Sequence, residues 1–368
     1  MAAFRVGIIG CGDDPAKRSA KGYAMAYRHG PGYLALPDQC ELAACCDLVP
    51  ERARKYAAQF GVATTYTDYH EMLAKEKPDI VSICTWMHLH EQMAVDCAEA
   101  GVKAIHCEKP MATTWAGCRR MAEVCRERGV QLTFNHMRRF GGPFRMAKEL
   151  LDAGEIGDLV LMQYGEGNLF DAGTHHMDMQ GFFNDHHRAV WAVAQIDYRV
   201  ENLVFGSHNE NVAHGLWKYE NGVFGQCVTG PRDAAWAVVG AYDKLIGTEG
   251  VIEVGPLIDQ DPRPLLRIRR KGSARWEDID TKGEGLHGRN DDPGAYHNRA
   301  IAHAVECLQK GTEPEHGARN ALKATEIIFA CWESARRRGM VDLPLEIDDN
   351  PLVQMIESGE LKPEPRRD

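Results

Sequence analysis

Phe4-Arg5-Val6-Gly7-Ile8-Ile9-Gly10-Cys11-Gly12 is an apolar run of strand length that ends in two glycines one residue apart. The rest of the first third of the chain repeats the theme of a buried strand and a sharp stop. Residues 42–46 close on Asp47, residues 80–85 come after Pro78-Asp79, and residues 102–107 and 130–134 are further apolar runs. Between them lie helical patterns with their own punctuation. Pro50 suits a first helical position before residues 51–57, and Gly61 stops that helix. Asp68 can cap residues 69–75, Gly101 stops residues 91–100, and Thr113 or Thr114 opens a helix that reaches Arg128. Strands alternating with helices of this length need crossover connections, so a parallel, doubly wound sheet is predicted.

From about Pro143 the rhythm changes. One helix (143–153) leads into strand-like runs at 159–164, 190–198, 212–219, 223–229, 242–246 and 251–254, and helices return at 295–310 and 318–337. Strands bracketed by helices predict an α+β domain with a large, open, mostly antiparallel sheet. The 368 residues therefore divide into a Rossmann-type α/β domain, 1–130, and an α+β domain, 131–368. The tail 360–368 is expected to be disordered.

Hydrophobic residues make up 44% and charged ones 26%, as in ordinary soluble enzymes. The net charge of −10 argues against a nucleic-acid partner. The basic run 267–271 alternates like a protected edge strand. No stretch approaches the roughly 18 apolar residues a membrane helix needs. No secretory signature precedes Val6, so a cytoplasmic location is expected. Twelve cysteines are scattered without a Cys-x-x-Cys, which reads as reduced core residues.

Gly10-Cys11-Gly12 after a strand is the context of a dinucleotide fingerprint, in which glycines let backbone amides reach a pyrophosphate. The third fingerprint position is Pro15, and the segment 13–37 is longer than usual. Asp14 as N-cap with Pro15 behind it still gives a helix start, with Lys17, Arg18 and Lys21 to offset Asp13 and Asp14. The inserted stretch is expected to be a lid or an interface loop. Asp47 can accept the ribose hydroxyls and repel a 2′-phosphate, which favours NAD over NADP. Thr85, Trp86 and His90 come after the fourth strand, at the cofactor rim; His88 and His90 equally suit a helix start.

Cys107-Glu108-Lys109-Pro110 ends another strand. Proline biases Lys109 toward an extended conformation, and strand C-termini line the ligand crevice of a parallel sheet. There an ammonium stabilises a developing alkoxide. A surface lysine paired with Glu108 in a turn is the plainer alternative. Asp171 and His175 are four residues apart, so on a helix they share a face, and the carboxylate can orient an imidazole that takes an alcohol proton. Asp178, one turn on, is expected to be structural. His176 and His186-His187 raise the question of a metal, but adjacent histidines diverge on a helix and no ligand set completes them, so none is expected.

These residues resemble the glucose–fructose oxidoreductase / inositol dehydrogenase (Gfo/Idh/MocA) family over nearly the whole chain. The matching pieces are Val6–Gly12, Cys46-Asp47 with Pro50-Glu51-Arg52-Ala53, Glu108-Lys109-Pro110, Asp171-x-Gly173-x-His175-x-x-Asp178, Gly247-Thr248-Glu249-Gly250 and Val341-Asp342-Leu343-Pro344. The resemblance implies Lys109, Asp171 and His175 as catalytic trio and a sugar, cyclitol or glycoside as substrate. It also implies a homo-oligomer, dimer or tetramer, through the open sheet. The chain departs from the family's Thr-Pro-Asn with Thr85-Trp86-Met87, placing Trp86 near the nicotinamide or under the substrate. It also has a short stretch before Asp171, so the pocket is shaped differently. Relatives that hold NAD tightly hydrolyse glycosides by transient oxidation, commonly at C3, then elimination, water addition and re-reduction. In that alternative Tyr164, Glu166, His176 or a water supplies the extra base. A non-catalytic dinucleotide sensor is the third reading, and the intact trio argues against it.

Overall fold

The computed structural model describes residues 3–13, 23–255, 263–286, 288–289, 292 and 294–366. The helix start expected at Asp14-Pro15, with Lys17, Arg18 and Lys21, lies outside them.

The first compact unit comprises Met1–Met137, Phe205–Ser207 and Gly294–Leu322. Its strands are β1 (Phe4–Ile9), β2 (Cys40–Cys46), β3 (Thr64–Tyr66), β4 (Ile80–Ile83), β5 (Ala104–Cys107) and β6 (Gln131–Phe134). All pair in parallel in the order β3-β2-β1-β4-β5-β6, the doubly wound arrangement in which direction reverses beside β1. The crossover helices are α1 (Ala26–Leu34), α2 (Pro50–Phe60), α3 (Tyr69–Glu76), α4 (His90–Glu99) and α5 (Trp115–Glu127). Their stops reflect local chemistry. Gly61 takes a left-handed φ of 72° after α2, Asp68 accepts the His70 N–H at 2.8 Å, and of the two threonines Thr114 is the cap, accepting from Gly117 N at 3.1 Å.

Two expectations need correction here. Part of the inserted stretch is neither lid nor interface loop, because residues 26–34 form α1, whose Ala26, Tyr27 and Tyr33 join the core around Val6 and Ile8. The first unit also takes back helix α9 (Ala295–Lys310), where a single division at residue 130 is expected. Ile301 and Val305 of α9 pack into the same core. A side chain at Gly32 would place its Cβ 2.6 Å from Ile301 Cδ1, so α1 and α9 meet at a glycine.

The second unit comprises Arg138–Val204, His208–Pro293 and Lys323–Asp368. Its sheet uses β7 (Leu159–Tyr164), β8 (Ala189–Asp197), β9 (Val212–Tyr219), β10 (Phe224–Val228), β11 (Asp243–Gly247), β12 (Gly250–Val254), β13 (Leu266–Arg270), β14 (Glu277–Asp278) and β15 (Val341–Asp342). The order is β14-β13-β12-β11-β7-β10-β9-β8-β15, with β7 and β10 the one parallel pair. Helices α6 (Gly142–Asp152), α7 (Gly173–Phe183), α8 (Arg232–Val239), α10 (Ala318–Arg337) and α11 (Pro351–Glu357) accompany it. The basic run is not an edge, since β14 pairs outside β13, and Arg267 and Arg270 bind Glu253 and Glu155 at 2.5 and 2.7 Å. Nor is the described tail disordered. Glu364 exchanges backbone hydrogen bonds with Arg199 and Glu201 at 2.7 and 2.8 Å.

All twelve cysteines are free, eleven of them buried. No described helix is long and apolar enough to cross a membrane.

Candidate active site

The glycine turn after β1 is shaped by what surrounds it. Gly10 has φ 87° and Gly12 φ 73°, values that side chains disfavour. A Cβ on Gly10 would lie 2.7 Å from Thr85 Cγ2 and 3.0 Å from the Cys84 carbonyl carbon, and one on Gly12 would lie 2.7 Å from Ala24 Cα. Between them Cys11 is fully buried, and the neighbouring Cys45 thiol together with burial pushes its pKa up, so it stays a thiol. Asp47, 8% exposed at the end of β2, accepts Gly12 N–H at 3.0 Å and Val49 N–H at 2.9 Å. A bare-backbone cradle tied to a carboxylate with spare lone pairs fits the pyrophosphate and ribose of a dinucleotide.

At the end of β4, Thr85 Oγ1 points to Met93 Sδ at 3.5 Å, and Trp86 is 37% exposed. His90 is buried, with Nδ1 2.9 Å from Pro110 O and Nε2 3.0 Å from Thr85 O. Burial lowers its pKa, and a neutral ring donates to only one of the two carbonyls. It braces the ends of β4 and β5 against each other.

Glu108, also buried, ends β5. His29 Nε2 lies 2.9 Å from its Oε1, Asn135 donates to the same oxygen at 2.7 Å, and Lys109 N–H reaches Oε2 at 3.3 Å. Burial alone would raise its pKa, but His29, Asn135 and the Lys109 charge outweigh this and hold it at about 2. The carboxylate is therefore ionised and fixed behind Lys109, a partly exposed residue whose bond to Pro110 is cis. His29 Nδ1 in turn lies 3.1 Å from Ser82 Oγ. Sequence reasoning missed His29, which sits in the inserted stretch with no local signal beyond the helical pattern of α1.

In the second unit Asp171 precedes α7 instead of lying on it, so the shared helix face expected of Asp171 and His175 does not form. Asp171 N–H is taken by Asn168 Oδ1 at 2.8 Å and Asn209 Oδ1 at 3.1 Å. These side chains occupy the turn before the helix, whose N-cap is Ala172. His175 lies in the first turn and is buried. Asp178 holds Arg139 through Nε at 3.1 Å and Nη2 at 2.5 Å, with both side chains buried, which makes the pair a brace.

His176 is clamped on both sides. Its ring stacks on Tyr164 at 4.4 Å, Nδ1 lies 3.0 Å from Asp243 Oδ1, and Nε2 lies 3.0 Å from Glu166 Oε2. Burial disfavours the imidazolium, yet Asp243 and Glu166 together outweigh it and raise the pKa. A ring set between two carboxylates favours its protonated form, in which both nitrogens donate. Arg138, 6% exposed, lies over the Tyr242 ring at 4.5 Å. Burial lowers its pKa while Glu166, Asp243 and Asp171 pull it back up, and its Nε and Nη1 have no hydrogen-bond partner. Sequence reading passed over Arg138 and Asp243; the doubled Arg138-Arg139 was the one local signal. His186 Nε2 meets Arg139 at 3.2 Å and His187 meets Glu220 at 3.2 Å. Among the described residues no group of three or more His, Cys, Asp or Glu side chains is arranged to hold a metal.

Comparison with known proteins adds to this geometry. The family described as "Oxidoreductase family, NAD-binding Rossmann fold" matches residues 4–136, and "Oxidoreductase family, C-terminal alpha/beta domain" matches residues 148–343. The chain is 26% identical to D-apiose dehydrogenase of Paraburkholderia graminis, over 98% of this chain and 95% of that protein. It is 28% identical to D-glucoside 3-dehydrogenase of Escherichia coli, over 48% of this chain and 52% of that one. The WlbA dehydrogenase of Bordetella pertussis, solved with NADH and UDP-GlcNAcA, shares the fold at 21% identity with a TM-score of 0.70, over 94% of this chain and 100% of that one.

Proposed function

The chain belongs to the Gfo/Idh/MocA family of NAD-dependent oxidoreductases, and from that premise we propose that it oxidises a secondary hydroxyl of a sugar, cyclitol or glycoside. The observation that carries this reading is the end of β5, where Lys109 comes directly after a buried, ionised Glu108 held by His29 and Asn135. So much fixed structure behind one partly exposed ammonium suits a group that must meet a developing negative charge in a set position.

The bare turn of Gly10, Cys11 and Gly12 lets the pyrophosphate of NAD approach the backbone, and Asp47 accepts ribose hydroxyls. NAD bound there would supply the hydride acceptor for the alcohol carbon. Lys109 lowers the pKa of the reacting hydroxyl. His175 takes that hydroxyl's proton on a ring nitrogen, and Asp171 keeps its supporting role from the turn before α7 and not from a shared helix face. Thr85 and Trp86 form the rim beside the cofactor. Free, mostly buried thiols fit a reducing cytoplasm, and the resemblance supports a dimer or tetramer through the nine-stranded sheet.

The glycosidase reading keeps one specific support. Glu166 is a partly exposed carboxylate (15%) hydrogen-bonded to the buried His176, so a second base is available beyond His175. Incubation with NAD and a panel of sugars, cyclitols and methyl glycosides separates the two. Accumulating NADH supports the dehydrogenase; free sugar released without NADH supports the hydrolase.

A further inference from the structure

Behind Lys109 runs a buried hydrogen-bond chain in which every proton can be placed. Tyr33 OH lies 2.9 Å from Ser82 Oγ, Ser82 Oγ lies 3.1 Å from His29 Nδ1, and His29 Nε2 lies 2.9 Å from Glu108 Oε1. Tyr33, Ser82 and His29 are all buried, and burial pushes the tyrosine pKa up, so its hydroxyl keeps its proton. Among the described residues Ser82 Oγ is the acceptor for that proton. Ser82 in turn donates to His29 Nδ1, where the Cys84 thiol also points at 3.4 Å. Burial keeps that thiol protonated as well. Two donors converge on Nδ1, so the ring carries its proton on Nε2 and donates it to Glu108. Asn135 donates to the same carboxylate oxygen at 2.7 Å, and Lys109 N–H donates to the other at 3.3 Å.

A charged His29 would upset this accounting. Its Nδ1–H would take Ser82 Oγ as acceptor, and one of the two buried hydroxyl protons, that of Tyr33 or that of Ser82, would be left unpaired. The Cys84 thiol would lose its acceptor too. The cation would also stand in a fully buried position beside His106, with ring centroids 4.8 Å apart. Glu108 favours the imidazolium, but its charge is already shared among Asn135, the Lys109 N–H and the Lys109 ammonium. We propose that Tyr33 and Ser82 lock His29 as an uncharged positioning residue, so that Glu108 presents its whole negative charge to Lys109. The inference rests on the reading that Lys109 meets the reacting oxygen. An imidazolium would pair off the carboxylate and weaken its hold on the lysine. A neutral ring fixes the same oxygen and leaves the charge in place.

Nitrogen NMR of protein labelled in its histidine rings, with His29→Gln or His29→Asn to assign the signals, tests the charge state at neutral pH. Wild type gives the widely separated ring-nitrogen signals of a neutral imidazole protonated at Nε2. Two similar signals, those of an imidazolium, overturn the proposal. Kinetics on the NAD-saturated enzyme test the role. Glutamine places an uncharged N–H where Nε2 stands, whereas asparagine stops short of Glu108. His29→Asn lowers kcat by about tenfold, and His29→Gln recovers most of that loss. The pH profile of kcat keeps its wild-type shape in His29→Gln, because residue 29 titrates in neither. A glutamine variant as slow as the asparagine one, with wild-type melting and NAD affinity, overturns the positioning role. So does a limb of the wild-type profile that disappears in His29→Gln. Imidazolium signals beside normal NADH production would sink this inference and leave the dehydrogenase reading standing; a wild type that reduces NAD with no sugar, cyclitol or glycoside would sink both.

Discussion

His29 Nε2 lies 2.9 Å from Glu108 Oε1, so a histidine of the first crossover helix stands behind the strand end that presents Lys109. The two are 79 positions apart, and the contact is fully buried. His29→Leu removes one partner of a buried carboxylate and is expected to cost about 3 kcal/mol of folding stability. It should also lower kcat by about tenfold or more through misplacement of Lys109. Urea unfolding alongside steady-state kinetics checks both, and the kinetic loss should exceed any loss of NAD affinity.

Acid should destabilise the first unit in two stages. His106 is buried beside His29 (ring centroids 4.8 Å apart) and donates from Nδ1 to Thr133 Oγ1 at 2.9 Å, because that hydroxyl itself donates to Ile105 O. Burial and the nearby histidines push its pKa well below 6.5, so the stability tied to its neutral form is present above 6.5 and declines as pH falls below it. Glu108, at about 2 against an ordinary 4.5, contributes stability above 4.5 that is lost as pH falls toward 2. His176 runs the other way: its pKa is raised, so its contribution is present below 6.5 and fades as pH rises through the folded value. Melting temperature against pH should fall below 6.5 and fall more steeply below 4.5, and His106→Gln should flatten the first stage.

Gly10→Ala should abolish dinucleotide binding with a modest stability loss. Its φ of 87° is strained for alanine, about 1–3 kcal/mol, and the new methyl would sit 2.7 Å from Thr85 Cγ2. Protein fluorescence titrated with NAD reports the outcome, and NAD affinity within a few fold of wild type would refute the cradle.

Much of this was legible in local signals. The strand, the two glycines, the caps at Asp68 and Thr114 and the stop at Gly61 are set by neighbours within a turn or two, which is where sequence patterning acts. Assignments that depend on distant partners were not legible. The stripe on α9 marks a buried face without naming the sheet that buries it. Asp171 was placed on a helix because the spacing allows it, but the side chain of Asn209 takes its N–H from 38 positions away and helps end the turn before α7. The clamp on His176 joins residues 67 positions apart. The cover on β13 is a two-residue strand, Glu277–Asp278, with no hydrophobic pattern to reveal it. The sequence separates an edge from an interior strand only when the covering strand carries a signal of its own.

The central claim is that Lys109 acts on the reacting oxygen, and the rate of NAD reduction by Lys109→Ala, measured on the best substrate of the panel with NAD affinity determined in parallel, tests it most directly. The account predicts a kcat lower by about 10²–10³-fold with NAD binding within a few fold of wild type. A variant that reduces NAD as fast as wild type would contradict it.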